Sequence, residues 1–359
     1  MTDPRVLLER HKPRLVYDSQ EAYFADSAAI WTDSTTNVLK RQDATVLARP
    51  PKLALGFLGE MAYADSKPAF KTDAIGDTTR SYAANAAKLH KQAKYANRVH
   101  GHARKDSQGR LWLQYWLFYY YNDYQLLGPL SGGNHEGDWE LVQVRLDAAE
   151  QPQQIVYSQH KLAESKTWMV APRIGNTPLV YVARGSHANY FGKGSHWTGN
   201  WFDQADGKGP QITPALVVLE DRSPAWVLWP GSWGDTKPGI LRLDSSSPVS
   251  PGVRPYWLDP VKLSGTMPKQ GAPAPPAPPR ATVPRTPESV VVRFDAPPEA
   301  TVLAVALRPK GSDQPAVTHA FALDATSGEV ELPADDRDLE VWTSVVGPEG
   351  VASAGARAT

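Results

Sequence analysis

The feature that most constrains the fold is a run of eleven residues, 111–121, which reads LWLQYWLFYYY. Ten of these side chains are aliphatic or aromatic, and Gln114 is the exception. Such a run suits a central β-strand that is buried on both faces. A turn sequence, Asp106-Ser107-Gln108-Gly109, precedes it. Residues 97–105 and 110–121 are therefore predicted to form a β-hairpin inside a sheet.

The rest of the first 266 residues also has the sequence pattern of short β-strands. Further strands are predicted at Gln154–Gln159, Leu179–Ala183, Ala215–Leu219 and Ala225–Leu228, separated by loops rich in glycine and proline. The alanine-rich segment Ser81–Tyr95 predicts one early helix, and the irregular stretch Asp33–Thr79 predicts long surface loops. The pattern indicates a mainly β domain, a sandwich or a barrel with loop insertions.

The composition changes near the C-terminal part of the chain. Between Pro268 and Pro287 there are eight prolines, which predict a semi-rigid linker over residues 267–287. Short strands separated by turns follow it. The chain is therefore predicted to consist of a domain over residues 1–266, the linker, and a small β-sandwich in the style of fibronectin type III over residues 288–359. A spacer or adhesion role is the expectation for that module.

Charge and residue content exclude several classes of function. The 38 basic and 38 acidic side chains give no net charge, so no nucleic-acid partner is expected. There are no cysteines, which excludes thiolate catalysis and cysteine zinc sites. The first residues lack the apolar core of a secretory signal, and no run of about 18 apolar residues predicts a transmembrane helix. The cytoplasm is the default expectation, while export by a non-classical route and the oligomeric state stay open.

A loop that runs into a strand carries the most specific chemistry. Residues 132–140 read GGNHEGDWE, and residues 141–146 continue as LVQVRL. Because side chains alternate along a strand, Asp138 and Glu140 are predicted to share the core face with Val142 and Val144. Two carboxylates on a buried face are costly unless a cation pairs them. Either a divalent metal ion or an Arg or Lys side chain would serve, and Arg145 is predicted to face the other way.

The spacing of these carboxylates suits a metal ion. Residues i and i+2 of a strand lie about 6.6–7 Å apart, and their carboxylates can bend to one ion at roughly 2.0–2.6 Å. His135 would join from the loop, and Asp123 from the end of the aromatic strand. Oxygen ligands with one imidazole favour Mg²⁺, Ca²⁺ or Mn²⁺ over zinc.

The motif Asn134-His135-Glu136-Gly137-Asp138-Trp139-Glu140 resembles the signature of the Vps62 family of vacuolar sorting-associated proteins. It is also similar to the Gly-His-Arg-His-Asp-Trp-Glu heptapeptide of NPP1-like necrosis-inducing proteins. The resemblance covers much of residues 11–260. It includes Pro13, Tyr17 and the segments EAY at 21–23, YWLFY at 115–119, SQH at 158–160, YVARGSHANY at 181–190, GSWG at 231–234 and YWLDP at 256–260.

The resemblance to NPP1-like proteins implies a β-sandwich that holds calcium or magnesium through the heptapeptide and an upstream Asp. On this chain the implied ligands are His135, Asp138, Glu140 and Asp123. The chain differs from the heptapeptide at Asn134, Glu136 and Gly137, and the last change removes a second histidine.

Other polar and aromatic residues are candidates for binding a ligand. His160 and His187 are predicted at strand ends, where they could ligate, act as a base or stabilise a loop. Trp197 is predicted to join an aromatic rim that stacks on sugar rings, with core packing as the alternative; its other members are His196, Trp201, Trp229 and Trp233. A triad of Ser158, His187 and Asp123 would also be conceivable, although no Gly-x-Ser-x-Gly elbow supports it.

Three functions follow in order of preference. The first is divalent-metal-dependent recognition of a glycan or lipid headgroup, with peripheral membrane contact or a toxin-related role as one form. The second is a metal-dependent hydrolase of phosphodiesters or glycosides, so enzymatic activity stays open. The third is a non-catalytic trafficking or scaffold module, which would not depend on metal.

Overall fold

The computed structural model describes residues 2–41, 43–60, 73–124, 134–160, 162–197, 202–235, 247–264, 277–284, 289–310, 317–333, 338–346, 353 and 356–359. It is mainly β, with 44% strand and 14% helix, as the sequence pattern predicts. Most of the predicted proline-rich linker lies outside the described residues. No helix in the described parts of the chain is long and apolar enough to span a membrane.

The first 266 residues contain sixteen described strands, six short α-helices and two 3₁₀ helices. The strands are β1 (Arg14–Tyr17), β2 (Asn37–Lys40), β3 (Val46–Ala48), β4 (Ala74–Asp77), β5 (Arg98–Lys105), β6 (Leu111–Asn122), β7 (His135–Leu146), β8 (Pro152–Gln159), β9 (Leu162–Thr167), β10 (Arg173–Ile174), β11 (Thr177–Val182), β12 (Asn189–Tyr190), β13 (Gly194–Trp197), β14 (Phe202–Ala205), β15 (Gln211–Ile212) and β16 (Ala215–Leu219). The helices are α1 (Pro4–Arg10), α2 (Ala29–Thr32), α3 (Leu55–Gly59), α4 (Tyr82–His90), α5 (Pro255–Leu258) and α6 (Val261–Ser264), with 3₁₀ helices at Ala225–Leu228 and Pro251–Val253.

The central sheet has six strands in the spatial order β16-β5-β6-β7-β8-β9. Neighbouring strands are antiparallel except for β16 and β5, which are parallel. The predicted hairpin is confirmed as β5 and β6, where His100 pairs with Trp116. The two longest strands, β6 and β7, lie in the middle, so their side chains can be buried on both faces.

The two faces of β6 enter different cores, which confirms burial on both sides. Trp112, Trp116 and Phe118 belong to a first core cluster, and the alternating residues Leu113 and Tyr115 belong to a second. The second cluster also contains residues of β7, β8, β1 and β11. The central sheet therefore packs, through its second face, against another sheet.

That second sheet has the order β10-β11-β1-β15, with β12 paired to β11. Strands β1 and β11 are parallel, and Val16 pairs with Tyr181. The loops that follow these two strands emerge at the same end of the sheet because the strands run in the same direction. This arrangement brings residues near 21 and near 187 together beside β7.

The first face of the central sheet is covered by the sheet β3-β2-β4, the helices α2 to α6 and the 3₁₀ segment Ala225–Leu228, whereas α1 packs into the second core. The prediction of long loops over Asp33–Thr79 was wrong where β2, β3, β4 and α3 form. The predicted helix after Ser81 is confirmed but ends at His90. The predicted strand at Ala225–Leu228 was wrong, because these residues form a 3₁₀ helix whose Trp226 and Val227 both pack into the first core cluster.

The prediction of a single early helix was also wrong, because α1 precedes it. Asp3 caps α1 by accepting a hydrogen bond from the Arg5 amide, and Pro4 occupies the first helical position. Both residues are favoured at helix N-termini.

The C-terminal module forms two sheets of its own. Its strands are β17 (Arg280–Thr282), β18 (Ser289–Asp295), β19 (Val302–Pro309), β20 (Val317–Ala322), β21 (Ser327–Pro333), β22 (Leu339–Val346) and β23 (Ala356–Arg357). The sheets have the orders β17-β18-β21 and β20-β19-β22-β23, and they share one apolar cluster. Strand β17 lies within the stretch predicted as linker.

Candidate functional site

Polar side chains from five parts of the chain gather at one end of β7. They come from the start of β7, the loops after β1 and β11, the end of β8 and strand β14; the described members are Glu21, His135, Asp138, Glu140, Ser158, His160, Ser186, His187 and Asp203. Every one of these side chains except that of His160 is buried or nearly so. The region is therefore a cluster of ionisable groups with little access to water.

His135 and Asp138 face each other across a short gap. The Nδ1–H group of His135 donates a hydrogen bond of 2.8 Å to the Gly137 carbonyl, and its Nε2 lies 3.9 Å from Asp138 Oδ1. Burial lowers the pKa of His135, although the Asp138 carboxylate opposes the shift. The imidazole is therefore neutral at neutral pH, and its unprotonated Nε2 lies 3.9 Å from a carboxylate oxygen. Two electron-pair donors that face each other without a shared proton favour a bound cation.

The backbone conformation of Gly137 brings His135 close to Asp138. Strand alternation alone would place residues 135 and 138 on opposite faces, but the φ of Gly137 is +57°, a value that favours glycine. A Cβ atom here would lie 2.2 Å from the Trp233 carbonyl oxygen. The reversal also turns Glu136 to the other side of the sheet, where it accepts a 3.0 Å hydrogen bond from the Tyr82 hydroxyl. The departure from a histidine at this position thus has a conformational reason.

Asp138 is neutralised by His187. Nδ1 of His187 lies 2.9 Å from Asp138 Oδ2, and Nε2 lies 3.5 Å from Glu21 Oε1, an ion-pair distance without hydrogen-bond geometry. The imidazole ring is fully buried and stacks on Tyr119 at 3.9 Å. Burial would lower the pKa of His187, but Glu21 and Asp138 outweigh it and raise the pKa to about 9. An expected Arg or Lys partner is thus replaced by an imidazolium.

The same contacts lower the pKa of Asp138. Burial alone would raise that pKa, and the hydrogen bond from His187, together with electrostatic contributions from His135, His187 and Arg254, outweighs it. The loop that carries His187 lies tightly against the chain after β6: a Cβ atom on Gly185 would lie 2.1 Å from the Asp123 carbonyl oxygen. Asp123 is also one residue beyond Asn122, which pairs with His135. The structure thus places Asp123 at this end of the site, next to the His187 loop.

Glu140 lies deeper along the same face. Its Oε2 accepts a short hydrogen bond from the Ser158 hydroxyl, which itself accepts from the Leu141 amide at 2.8 Å. Burial and the nearby Asp138 carboxylate raise the pKa of Glu140 to about 8. Burial is the larger of these two causes, so Glu140 is mostly protonated at neutral pH unless a cation lies beside it.

His160 forms the more open part of the site. Its Nε2 lies 3.0 Å from Asp203 Oδ2, and 32% of its side chain is exposed. Asp203 is fully buried and also accepts hydrogen bonds from the hydroxyls of Ser186 (2.8 Å) and Tyr190 (2.6 Å). Partial burial would lower the pKa of His160, but Asp203 and, further away, Glu140 raise it to about 9. The result is a fixed, partly accessible imidazolium.

Several predicted contacts are absent or untested. Trp229 and Trp233 are buried in the first core, so they do not form an aromatic rim. The side chain of Trp197 and all of Trp201 lie outside the described residues. The proposed triad is not assembled, since His187 contacts Asp138 and Glu21 whereas Ser158 contacts Glu140.

The predicted metal ligands come together only in part. Within the described ranges, no three His, Asp or Glu side chains stand ready to hold an ion. Of the predicted ligands, His135 and Asp138 lie 3.9 Å apart. Sequence reasoning missed Glu21, Ser158 as a partner of Glu140, and Asp203. Glu21 lies in a segment that carries the family resemblance, whereas no local signal marks Asp203.

Comparison with known proteins adds no family to this description. No model of a known protein family matches the chain, and no curated protein sequence matches it. The resemblance to the Vps62 family and to NPP1-like proteins therefore stays a prediction that rests on the residues quoted above.

Proposed function

We propose that the protein recognises a glycan or lipid headgroup with the help of a divalent metal ion. The observation that carries the proposal is the 3.9 Å approach of His135 Nε2 to Asp138 Oδ1, with His135 Nδ1 bound to the Gly137 carbonyl. Histidines that ligate metals usually donate their other ring N–H group to a carbonyl or carboxylate. The separation is too long for a hydrogen bond and suits two ligands of one ion.

The charge balance of the site supports the same proposal. Four buried carboxylates meet two histidines whose pKa is raised; the carboxylates are Glu21, Asp138, Glu140 and Asp203. Burial and the Asp138 carboxylate raise the pKa of Glu140, so this carboxyl ionises fully at neutral pH only beside an added cation. A divalent cation would supply that charge. His135 and Asp138 would hold it, and Glu140 and Asp123 are the candidates to complete the set. The oxygen-rich donors favour Mg²⁺ or Ca²⁺, with Mn²⁺ also compatible.

The fold proposal follows from the two sheets that share the second core. We propose that they form the β-sandwich that the family resemblance implies, and that the C-terminal module is a fibronectin III-like sandwich. In this arrangement the ion would lie at one end of the sandwich. A bound ion would supply a fixed positive charge for the hydroxyl or phosphate oxygens of a ligand. The partly exposed His160 lies beside that position.

The experiment is a ligand screen with a matched pair of variants. Glycan arrays and lipid vesicles are probed with the full chain in Ca²⁺ or Mg²⁺ and again in EDTA. Asp138→Asn removes a proposed ligand, while Glu329→Gln changes an exposed carboxylate in the C-terminal module. Binding that requires metal, fails in Asp138→Asn and persists in Glu329→Gln supports the proposal. Binding that is indifferent to EDTA and to Asp138→Asn would favour a metal-independent scaffold instead.

A metal-dependent hydrolase is the second candidate, and the His160–Asp203 pair favours it. A histidine oriented by a buried carboxylate is a common acid–base arrangement, and a metal ion activates water for attack. Turnover of nitrophenyl phosphodiesters or glycosides that disappears in EDTA and in His160→Gln would establish this activity. Metal-dependent binding without turnover would leave recognition as the function.

A further inference from the structure

The turn between β9 and β10 presents an exposed apolar tip. Met169 is 79% exposed, Val170 is 70% exposed, and Ile174 is 55% exposed. Nine large hydrophobic side chains are strongly exposed in the described chain, and three of them lie within these six residues. Single exposed apolar residues are normal, whereas a contiguous group calls for a partner.

The tip is held rigidly by its flanking residues. Trp168 and Ala171, on either side of Met169 and Val170, are both part of the second core. The Trp168 amide donates to the Gln153 carbonyl at 2.9 Å, and the Val170 amide donates to the Thr167 carbonyl at 3.2 Å. The two apolar side chains are therefore pushed outward by a turn that is anchored beneath them. Because the backbone of the turn is anchored in this way, little backbone entropy is lost when it binds.

Basic side chains surround the tip. The Arg173 guanidinium lies over the Trp168 ring at 5.4 Å, and Lys166 precedes the turn on β9. Strand β11 lies between Arg173 on β10 and Arg14 on β1. Arg173 pairs with Pro178 of β11, and Arg14 pairs with the next residue, Leu179. The acidic residues in this part of the fold have partners: Glu9 pairs with Lys12 at 2.8 Å, Glu150 accepts hydrogen bonds from Thr2, and Asp147 accepts one from Gln153 at 2.8 Å. Lys166 lies 3.9 Å from Glu164 and over the Phe191 ring at 5.1 Å, and such an exposed ion pair is weak enough for Lys166 to exchange it for a headgroup.

We propose that this turn docks the protein on an anionic lipid bilayer. Met169 and Val170 would enter the interfacial region, and Lys166, Arg173 and Arg14 would face the acidic headgroups. Apolar insertion and attraction of basic residues to anionic lipids act together in peripheral binding.

The docking turn is distant from the candidate metal site. Strand β8 separates them: Gln159 is near His160, whereas Gln154 pairs with Thr167 at the turn. Five residues of strand span about 17 Å. Docking would thus leave the metal site facing away from the bilayer, accessible to a glycan and not to a headgroup of the same bilayer. The inference does not depend on the proposed metal, which makes its failure separable from failure of the proposed function.

The test is co-sedimentation of the full chain with vesicles of phosphatidylcholine alone or with about one third phosphatidylserine. The wild type is expected to bind the anionic vesicles more strongly, equally well with and without EDTA. The double variant Met169→Asp/Val170→Asp should bind anionic vesicles at least about tenfold more weakly. It removes the inserted apolar groups and adds negative charge that the acidic headgroups repel. Leu258→Asp, at another exposed apolar position, should bind as the wild type does.

Folding of the double variant is checked by circular dichroism and melting, which should match the wild type because both side chains are exposed. The double variant Lys166→Gln/Arg14→Gln tests the role of the basic residues. Its affinity for anionic vesicles is expected to fall about tenfold, with little change on vesicles of phosphatidylcholine alone. Three results would overturn the proposal: no vesicle binding, binding that EDTA abolishes, or self-association of the wild type that the double variant loses while lipid has no effect.

Discussion

Nδ1 of His187 lies 2.9 Å from Asp138 Oδ2, and both side chains are buried. The imidazolium is the protein's own cation for a carboxylate that strand alternation turns into the core. It satisfies one oxygen of Asp138, while the other faces the neutral His135 ring at 3.9 Å. One carboxylate therefore has a protein partner on one side and a position suited to an ion on the other.

Removal of His187 is expected to destabilise the fold. His187→Gln leaves Asp138 and Glu21 without their cation, and breaking a buried ion pair from one side costs about 3–5 kcal/mol. Urea unfolding in EDTA near neutral pH measures the loss. The control His319→Gln changes a histidine in the C-terminal module. Equal stability of the wild type and His187→Gln would contradict the assignment.

The contribution of His187 should depend on pH. Its pKa is raised in the fold from 6.5 to about 9, so the stabilisation is fully present below pH 6.5 and is lost as the pH rises through 9. The difference in the free energy of unfolding between wild type and His187→Gln should therefore shrink by about 3 kcal/mol between pH 6.5 and 9. A difference that stays constant over this range would show that His187 is not protonated in the fold.

Glu140 should behave in the opposite way from an ordinary ion-paired carboxylate. Its pKa is raised from 4.5 to about 8, so the folded state favours the protonated form, and this stabilisation fades as the pH rises through 8. In EDTA, Glu140→Gln is expected to become more stable than the wild type above pH 8 and to match it at acidic pH. With metal present, the wild type should be more stable than Glu140→Gln if Glu140 contributes to the ion site. Thermal melting in both buffers distinguishes the cases.

Gly137→Ala should be costly for two reasons. A left-handed φ costs an L-residue about 1–2 kcal/mol, and the new Cβ would also collide with the Trp233 carbonyl oxygen. Gly109→Ala is the matched control, since its φ is +76° and a Cβ there meets nothing within 4 Å. We expect Gly137→Ala to lose clearly more stability than Gly109→Ala in urea unfolding. Similar losses in the two variants would mean that the contact with Trp233 is not close.

Sequence patterns predicted the parts of the site that one strand determines. Alternation placed Asp138 and Glu140 on the face that carries Val142 and Val144, and those valines do lie in the second core. The hairpin of β5 and β6 followed from its turn and its aromatic run. Both predictions depend on residues close together in the chain.

The rest depends on contacts between distant residues. His187 reaches Asp138 from 49 residues away, because parallel β1 and β11 direct their loops to the same end. The approach of His135 to Asp138 depends on the positive φ of Gly137, which simple alternation does not contain. The burial of Trp229 and Trp233 likewise depends on how the covering layer packs on the central sheet. That layer consists of segments with little hydrophobic periodicity, so the sequence does not predict it.

The most direct test of the account is the metal content of protein purified without chelator, measured together with its melting temperature in EDTA. The account predicts close to one divalent ion per chain, a lower melting temperature in EDTA because the ion binds only the folded state, and loss of both effects in Asp138→Asn. The control variant Glu329→Gln should retain the ion. Protein without metal whose melting temperature is unchanged by Ca²⁺, Mg²⁺, Mn²⁺ or EDTA would contradict the account and leave the charge of Asp138 to be balanced by His187 and the protein's other cations.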